Sequence, residues 1–411
     1  MASAINRKAG RLSETQVLPL LASVFFVLTF AIKAFTDGPY DRGLLSSAIV
    51  YTKYATAFIA CLLALAFAMK KGEYRFVQEF NELMVIVAVF TVVSAVMQLV
   101  SGTFVGGTYI ELVKLAMPMV LAYCMLNALD DDQIYVCMVA VLIVSLMGYV
   151  VDMGARGSSL SAIFQADFAA SESDTESSGF SEISLMLSFY FLYVKRSGAA
   201  SVVSTLFCIL CFKRLAILVV SLAFLVSHFA PRFITAKPSS KLVTACKVAT
   251  LAACAAWCWI LLPGQERLFI SLFGQTPFDF TMGRSMSLRY LVDSGFQSYG
   301  FGSANVVING VFGVPFEMDL AKIAIELTPA VLALFVWLFW DLARGSVWAF
   351  GIVAYFMLNM ISSDSLTSNF AFTLAYMTLG LVNSGSSAKI PLTDAAVSRE
   401  DLTKLIDGRL C

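Results

Sequence analysis

Long apolar segments dominate the chain, and they restrict its fold more than any other feature. The first segment, Val17 to Phe35, follows Arg7, Lys8 and Arg11 and is long enough to cross a bilayer, which takes about 20 apolar residues. Of the 411 residues, 59% are hydrophobic and only 14% are charged, a balance unlike that of soluble domains. We therefore expect an all-α polytopic membrane protein whose first segment is a retained helix rather than a cleaved signal.

Hydropathy divides the chain into 12 predicted transmembrane helices. Their approximate limits are 17–36, 45–69, 82–100, 109–128, 134–152, 181–194, 200–212, 215–230, 242–262, 320–340, 346–361 and 369–383. The sixth, seventh and eighth are short for a hydrocarbon core of about 30 Å, and we expect the seventh and eighth to form a hairpin around Lys213 and Arg214. Residues 1–383 would form an integral membrane domain and residues 384–411 a cytoplasmic tail.

Lysine and arginine are unequally shared between the two alternating sets of loops. One set carries 16 of them and the other carries 7. Under the positive-inside rule, this asymmetry predicts that both termini are cytoplasmic. Two outer loops are then large, at about 153–180 and about 263–319, and the second lies between the ninth and tenth spans. The first is acidic and Ser-rich, which predicts a mobile segment, with a gate and plain disorder as the two interpretations.

Within the second outer loop, SMSLRYLVDSGFQ predicts a helix lying on the membrane surface, and YGFGSANVVINGVFG predicts a Gly-punctuated loop. The GFGSAN stretch follows no predicted strand and opens no predicted helix, so we expect no dinucleotide site there. His228 is the only histidine, and it lies at the cytoplasmic end of a span, which excludes histidine-based triads and metal sites. The zero net charge gives no reason to expect a nucleic-acid partner.

Several basic residues fall in the outer half of the predicted bilayer or in the outer loops. Ionisable groups at such depths normally face a cavity or a partner, so we expect these residues to line an outward-facing basic cavity. Such a cavity suits an anionic lipid headgroup, because guanidinium groups match phosphate oxygens well. The residues concerned are Lys33, Lys53, Lys114, Lys322, Lys213, Arg214, Arg284 and Arg289.

Most of these residues also have a purely structural interpretation. Lys33 and Lys53 would then extend to the membrane interface, as long cationic side chains do. The other structural interpretations are an ion pair of Lys114 with Glu111 and an ion pair of Arg289 with Asp293. Arg284 has no obvious partner nearby in the sequence.

The tenth predicted span carries a charged stripe. Asp319, Lys322 and Glu326 fall at positions i, i+3 and i+7, which is one face of a helix. In the outer half of a span, such a face must meet the protein interior or water. The structural alternative is an Asp–Lys–Glu ladder that satisfies itself and anchors the helix.

The order of these motifs resembles that of the Wzy family of polysaccharide repeat-unit polymerases, in the O-antigen polymerase and ligase superfamily. The resembling segments are CFKRLAIL as a short basic outer turn, GRSMSLRYLVDSG as an Arg-containing surface helix, a GFG-like turn, and FEMDLAKIAIELT as a polar pair leading into a span. The likeness covers most of the chain in architecture, and its specific residues lie within 205–345. Where many relatives carry a His-Asn pair, this chain has Glu317, Met318 and Asp319, which disfavours a ligase-type function.

The resemblance implies an enzyme that polymerises lipid-linked repeat units of O-antigen, capsule or another polysaccharide in the bacterial inner membrane. It implies a metal-independent, inverting glycosyltransferase with a class C-like fold, no cofactor, and an active site facing the periplasm or cell exterior. The donor would be a growing glycan on undecaprenyl or another polyprenyl diphosphate, and the acceptor a sugar hydroxyl of the next lipid-linked unit. Membrane lipid, a flippase and a chain-length regulator are the other expected partners.

Residue roles follow from this implied mechanism. Fixed cations would stabilise the charge that develops on the leaving diphosphate, and a carboxylate would take the acceptor proton. The expected diphosphate ligands are Arg284, Arg289, Arg214, Lys213 and Lys114; the expected base is Asp319, with Glu317 second, and Lys322 and Glu326 would support them. Two alternatives remain, a ligase-type glycosyltransferase and a transporter of lipid-linked sugar. A transporter should show paired broken spans or repeat symmetry, and the sequence shows neither.

Overall fold

The computed structural model of the chain describes residues 14–157, 177–195, 197–366, 369–384 and 390–391. Within them the regular structure is helical, apart from one antiparallel pair of two-residue strands, β1 (Glu73–Tyr74) and β2 (Ile390–Pro391). Six helices are long and apolar enough to cross a membrane. The helical architecture therefore agrees with the predicted polytopic membrane protein.

The first nine predicted spans lie between residues 14 and 262. The long helices of this part are α1 (Glu14–Asp41), α2 (Ser47–Lys71), α3 (Val77–Ser101), α4 (Gly106–Ala128) and α5 (Asp131–Ala155). The following elements are α6 (Ser178–Phe189), a π-helical turn (Tyr190–Val194), α7 (Gly198–Leu210), α8 (Arg214–Phe229), α9 (Pro231–Ile234) and α10 (Ser240–Leu261). As predicted, the sixth to eighth segments are shorter than the first five.

The C-terminal part begins with four short helices and ends with longer ones. The short helices are α11 (Glu266–Phe273), α12 (Pro277–Thr281), α13 (Arg284–Asp293) and α14 (Ser303–Phe312). They pack around a small apolar core that includes Phe269, Leu288 and Ile308. The remaining elements are α15 (Asp319–Glu326), α16 (Pro329–Asp341), a 3-10 turn (Leu342–Gly345), α17 (Val347–Ser362) and α18 (Asn369–Ser384).

Contacts between helix termini define two ends of the bundle. The loop end is the one that carries residues 262–318, and its contacts include Phe301 N to Ser94 Oγ, Arg42 to Asp152, and Tyr149 Oη to the Leu210 carbonyl. The opposite end is joined by contacts such as Arg75 to Asp131, Lys195 to Asp132, and Val347 N to the Ala236 carbonyl. Successive long helices run from one end to the other.

Two sequence predictions about local structure agree with the described residues. A hairpin does form between α7 and α8, where Phe212 adopts a left-handed conformation with φ 56°. The stretch predicted as a surface helix forms α13. Most of the predicted outer loop at 153–180, and almost all of the predicted tail at 384–411, lies outside the described residues.

The predicted continuous tenth span is wrong, because the chain breaks between α15 and α16. Pro329 has no N–H to donate, and its ring disfavours a helical conformation at the preceding residue. Thr328 accordingly has φ 151° and ψ 158°, and its side chain accepts a hydrogen bond from Val331 N at 3.3 Å. One predicted span is therefore two short helices with separate orientations.

The predicted Gly-punctuated loop at 299–313 is also wrong, because its central part forms α14. The helix is bounded by Gly302 and Gly313, which both have positive φ, whereas Gly310 lies inside it. The glycines thus mark the limits of a helix, as capping glycines do, instead of preventing one. The GFGSAN stretch does open a helix, contrary to the expectation from sequence.

Helices α1 and α5 approach each other closely through small residues. A Cβ added to Gly148 of α5 would lie 2.5 Å from Ala34 Cβ and 2.7 Å from the Ala34 carbonyl oxygen of α1. Small residues let helix backbones meet in membranes, where van der Waals packing provides much of the association energy. Gly154, further along α5, has nothing within 4 Å of such a Cβ.

We expect Gly148→Ala to destabilise the protein, because the added methyl group has no space against α1. Overpacking of this kind costs about 1–3 kcal/mol, so the melting temperature of the detergent-purified protein should fall. Gly154→Ala is the matched control and should melt at or above the wild-type temperature. Equal melting of the two variants would contradict the close α1–α5 contact.

Candidate functional site

A cavity of about 570 Å³ with many polar lining residues lies at the loop end between α1, α2, α4 and α14. We call it the polar cavity. Its charged lining residues are Asp37, Lys53, Glu111, Lys114 and Asp364. Three tyrosines and two asparagines supply further polar groups: Tyr40, Tyr51, Tyr54, Asn305 and Asn309. The cavity thus combines carboxylates, ammonium groups, amides and phenols.

Ion pairs hold the cations of this wall. Asp37 bridges two lysines, with Lys33 Nζ at 2.8 Å and Lys53 Nζ at 2.5 Å. Lys33 and Lys53 therefore share one carboxylate partner, Asp37. Lys114 Nζ lies 2.7 Å from Glu111 Oε1, which confirms the pair that was the structural interpretation of Lys114.

The charge of the polar cavity differs from the expected one. We predicted a basic cavity, but three carboxylates and two lysines line it among the described residues. Each of the predicted cations Lys33, Lys53 and Lys114 has a carboxylate partner close by. The lysines are paired because an unpaired charge within the membrane has a high free-energy cost.

A glycine turn closes one side of the polar cavity. Gly300 and Gly302 both have positive φ, at 119° and 94°, which residues with a Cβ rarely adopt. A Cβ on Gly302 would also lie 2.7 Å from Glu111 Cγ. Between the two glycines, Phe301 N donates to Ser94 Oγ at 3.0 Å, which joins the turn to α3. The turn therefore packs directly against α3 and α4.

The carboxylate of Glu326 anchors this turn to α15. Its two oxygens accept hydrogen bonds from Gly302 N at 2.7 Å and Ala304 N at 2.6 Å. The N-terminus of α14 is thus occupied by a carboxylate of the same chain, and it is not open to an external phosphate. Burial raises the pKa of Tyr299, in the preceding residues, and the nearby charge of Glu326 raises it further.

Lys322 lies behind the cavity wall and is completely buried. Its Nζ is 4.0 Å from Glu111 Oε2 and 4.9 Å from the centre of the Phe301 ring, and it makes no hydrogen bond within the described residues. The predicted Asp–Lys–Glu ladder is wrong, because Asp319 and Glu326 accept hydrogen bonds from backbone N–H groups of other segments. Their shared helical face does point into the protein.

Asp319 holds the turn that follows α17. Its Oδ2 accepts hydrogen bonds from Ser365 N and Leu366 N, each at 2.6 Å, and its own N donates to the Ser363 carbonyl. The side chain is fully buried and does not line the polar cavity. These contacts favour a structural task for Asp319, while its predicted role as a base remains a prediction.

Lys213 enters the same buried network from the α7–α8 turn. Its Nζ donates to Glu182 Oε1 at 2.7 Å, and that oxygen also accepts from Asn359 Nδ2 at 2.8 Å and Ser365 Oγ at 3.2 Å. Lys213 and Asp319, which are distant in sequence, are therefore linked through Ser365. Lys213 is buried against a carboxylate and does not line the polar cavity.

The predicted diphosphate ligand Arg284 pairs with the predicted second base, Glu317. Arg284 Nε donates to Glu317 Oε2 at 2.7 Å, and its Nη2 lies equally close. Arg284 also lines a smaller cavity of about 140 Å³, together with Trp257, Met318 and Ser362. We call this the Arg284 cavity. It is separate from the polar cavity.

Arg289 and Arg214 lie away from both cavities. Arg289 donates to the Leu261 carbonyl at 2.9 Å and to Glu266 Oε1 at 2.5 Å, so the alternative pair with Asp293 is wrong. Arg214 is exposed at the start of α8 and has no ion-pair partner among the described residues. The structure therefore brings Lys114, Lys322, Asp319, Glu326 and Lys213 into or beside one network and leaves the three predicted arginines outside it.

An apolar groove of about 470 Å³ adjoins the polar cavity between α2 and α4. We call it the tyrosine groove. Tyr51, Tyr54, Ile110 and Lys114 line both spaces, whereas Val113 lines only the groove. The ammonium of Lys114 therefore lies where an apolar surface meets a polar one.

Several residues of this site escaped the sequence analysis. Asp37 follows Lys33 by four residues within an apolar segment, which is a signal for a paired charge. Asp364 is an acid in the polar break between the last two predicted spans, a signal of the same kind. Glu182 gave no signal, because its partners lie 31 and 177 residues away.

No family model matches this chain, and no curated protein matches it. The function must therefore be argued from the site.

We expect Gly302→Ala to disturb the polar cavity, because the substitution strains a positive φ and places a methyl group against Glu111. The combined cost should be on the order of 1–3 kcal/mol or more. Gly310→Ala lies in the same helix with open space around it and is the matched control. Thermal unfolding in detergent should separate the two variants, and a Gly302→Ala variant as stable as Gly310→Ala would contradict the packing described.

Proposed function

We propose that the chain polymerises lipid-linked oligosaccharide repeat units on the outer face of the bacterial cytoplasmic membrane. It transfers the growing glycan from a polyprenyl diphosphate to a sugar hydroxyl of the next lipid-linked unit. One observation carries the proposal: the polar cavity adjoins an apolar groove, and a lysine lines both of them. A lipid-linked sugar has three parts in the same order: a polar glycan, an anionic diphosphate and an apolar isoprenoid chain.

The lining of the polar cavity supports a glycan ligand. Carboxylates accept hydrogen bonds, and amides and phenols both donate and accept them, so together they match the hydroxyl groups of sugars. Asp37, Asn305 and Asn309 contribute such groups, and Tyr51 and Tyr54 add ring faces against which the apolar face of a sugar can pack. A volume of about 570 Å³ accommodates a short oligosaccharide.

The tyrosine groove supports the lipid part of the substrate. Its wall is largely apolar, and Tyr51, Ile110 and Val113 are each about half exposed there. We place the diphosphate at Lys114, which lines both the groove and the polar cavity. Because Lys114 also pairs with Glu111, its ammonium is held in a fixed position, and fixed charges stabilise a developing anion best.

The reaction moves one proton and one electron pair. The acceptor oxygen attacks the anomeric carbon of the donor sugar, the bond from that carbon to the phosphate oxygen breaks, and its electron pair leaves on the diphosphate. A carboxylate takes the acceptor proton. The mechanism uses only residues of this chain, with Lys114 beside the leaving group.

One structural feature favours a second function, transport of lipid-linked sugar. Transporters commonly bind their substrates where helices are interrupted, and the chain is interrupted between α15 and α16 at Leu327 and Thr328. The interruption lies next to Glu326, which anchors the glycine turn of the polar cavity. Reconstituted vesicles distinguish the two functions, since a transporter moves labelled lipid-linked sugar across the bilayer without lengthening it.

The first test concerns orientation, because the proposal requires the loop end to face outward. In a cysteine-free background, Ser294→Cys at the loop end should react with a membrane-impermeant maleimide in intact spheroplasts. Thr235→Cys, exposed at the opposite end, should react only after lysis. The reverse pattern would contradict both the proposed side of the reaction and the predicted cytoplasmic termini.

The second test concerns the diphosphate. We expect Lys114→Gln to slow elongation of lipid-linked oligosaccharide, extracted from the source cells, by about 30- to 1,000-fold, the usual effect of losing one charged contact to a transition state. Lys241→Gln, an exposed lysine at the opposite end, should elongate at the wild-type rate. If Arg284→Gln abolishes elongation while Lys114→Gln does not, the diphosphate binds in the Arg284 cavity. Absence of elongation by wild-type protein would refute the function.

A further inference from the structure

We propose that Asp364 is the carboxylate that takes the proton of the acceptor hydroxyl, and that Asp319, Glu182 and Lys213 are positioning residues that fix it. The inference rests on the proposed function, and it assigns the base to a residue that neither the motifs nor the resemblance indicates. It starts from the short turn at Ser363–Leu366, which connects α17 to the chain before α18.

The turn is fixed from one side by Asp319. Both Ser365 N and Leu366 N donate to a single oxygen of that buried carboxylate, and Asp319 N donates back to the Ser363 carbonyl. Three hydrogen bonds thus tie the backbone on both sides of Asp364 to the first turn of α15. Hydrogen bonds to a charged group are stronger than those between neutral groups.

The turn is fixed from another side by Glu182 on α6. Its Oε1 accepts from Ser365 Oγ, from Asn359 of α17 and from Lys213. All four side chains are buried. Burying the ion pair of Lys213 with Glu182 costs free energy. Because this pair helps to fix the turn at Ser363–Leu366, we infer that the geometry of the turn is important.

The turn separates the two cavities of the loop end. Ser362 lines the Arg284 cavity, and Asp364, two residues later, lines the polar cavity. Asp364 therefore borders the space where the glycan is proposed to bind, whereas Asp319, which fixes the turn, is fully buried. The buried ammonium of Lys322 lies close enough to Asp364 for their opposite charges to interact.

Asp37 and Glu111, which also line the polar cavity, take part in ion pairs with lysines of its wall. Asp37 bridges Lys33 and Lys53, and Glu111 pairs with Lys114 and faces Lys322. Both hold the cations of the wall in place. Asp364 is presented on a turn whose backbone is fixed from two sides, which is the geometry that a general base requires.

The proposed step balances with one proton and one electron pair. The acceptor O–H proton moves to Asp364, the oxygen forms a bond to the anomeric carbon, and the carbon–oxygen bond to the diphosphate breaks. Asp364 then returns the proton to water in the cavity. No oxidant, metal or further reactant takes part.

The experiment compares single-turnover elongation, with lipid-linked oligosaccharide bound to excess enzyme, in the wild-type protein and three variants. Asp364→Asn should elongate about 100- to 10,000-fold more slowly than wild type, the usual contribution of a general base. It should also lose the acidic limb of the pH–rate profile, because no carboxylate remains to be protonated. Asp364→Glu should recover part of the rate. Asp293→Asn, an exposed acid at the loop end, is the control and should be unaffected.

Positioning variants give a different result. In steady-state assays, Glu182→Gln should lower kcat, leave KM nearly unchanged and keep the acidic limb of the pH–rate profile. Ser365→Ala provides a milder version if Glu182→Gln fails to fold. Elongation by Asp364→Asn within threefold of the wild-type rate, or with the acidic limb intact, overturns the inference while leaving the proposed function standing. Failure of wild-type protein to elongate at all refutes the proposed function instead, so the two failures are distinguishable.

Discussion

Two carboxylates on one short helix determine the shape of the loop end. Glu326 accepts the N–H groups of the glycine turn, and Asp319 accepts those of the turn after α17. Both are fully buried, where an unsatisfied charge would cost several kcal/mol, so their partners must stay in place. The two turns form part of the wall of the polar cavity. An eight-residue helix therefore fixes the space in which chemistry is proposed to occur.

The mixed charge of that space has a consequence for recognition. A strongly basic cavity would attract any phosphate, whereas here each lysine of the wall already has a carboxylate beside it. A ligand must then satisfy acids, amides and phenols together, which a neutral polyhydroxyl chain does better than a simple anion. Of the two lysines that line the polar cavity, Lys114 also lines the apolar groove. Under the proposed function, this separation would select a sugar that is attached to an anionic lipid.

The sequence predicts the long apolar helices, because apolar segments and charged boundaries are local signals, but it misses α14 and the break between α15 and α16. It also predicts the pair of Lys114 with Glu111, three residues apart on one helix. The sequence does not predict the partner of Arg284, because Glu317 lies 33 residues away. It also does not predict the partners of Glu182, which lie in the turn before α8 and on α17. Such pairs depend on how each helix rotates about its axis when it packs, and hydropathy contains little of that information. The same limit explains why the expected arginine cluster is dispersed.

The separation in sequence between the two sides of the polar cavity also affects its biogenesis. Phe301 joins Ser94 across 207 residues, and at about 5–20 residues per second roughly 10–40 s of synthesis pass between them. During that time α3 and α4 must reside in the membrane without the glycine turn and without Lys322. Lys114 and Glu111 already form an ion pair within α4. This part of the cavity wall is therefore charge-balanced before the second wall is synthesised.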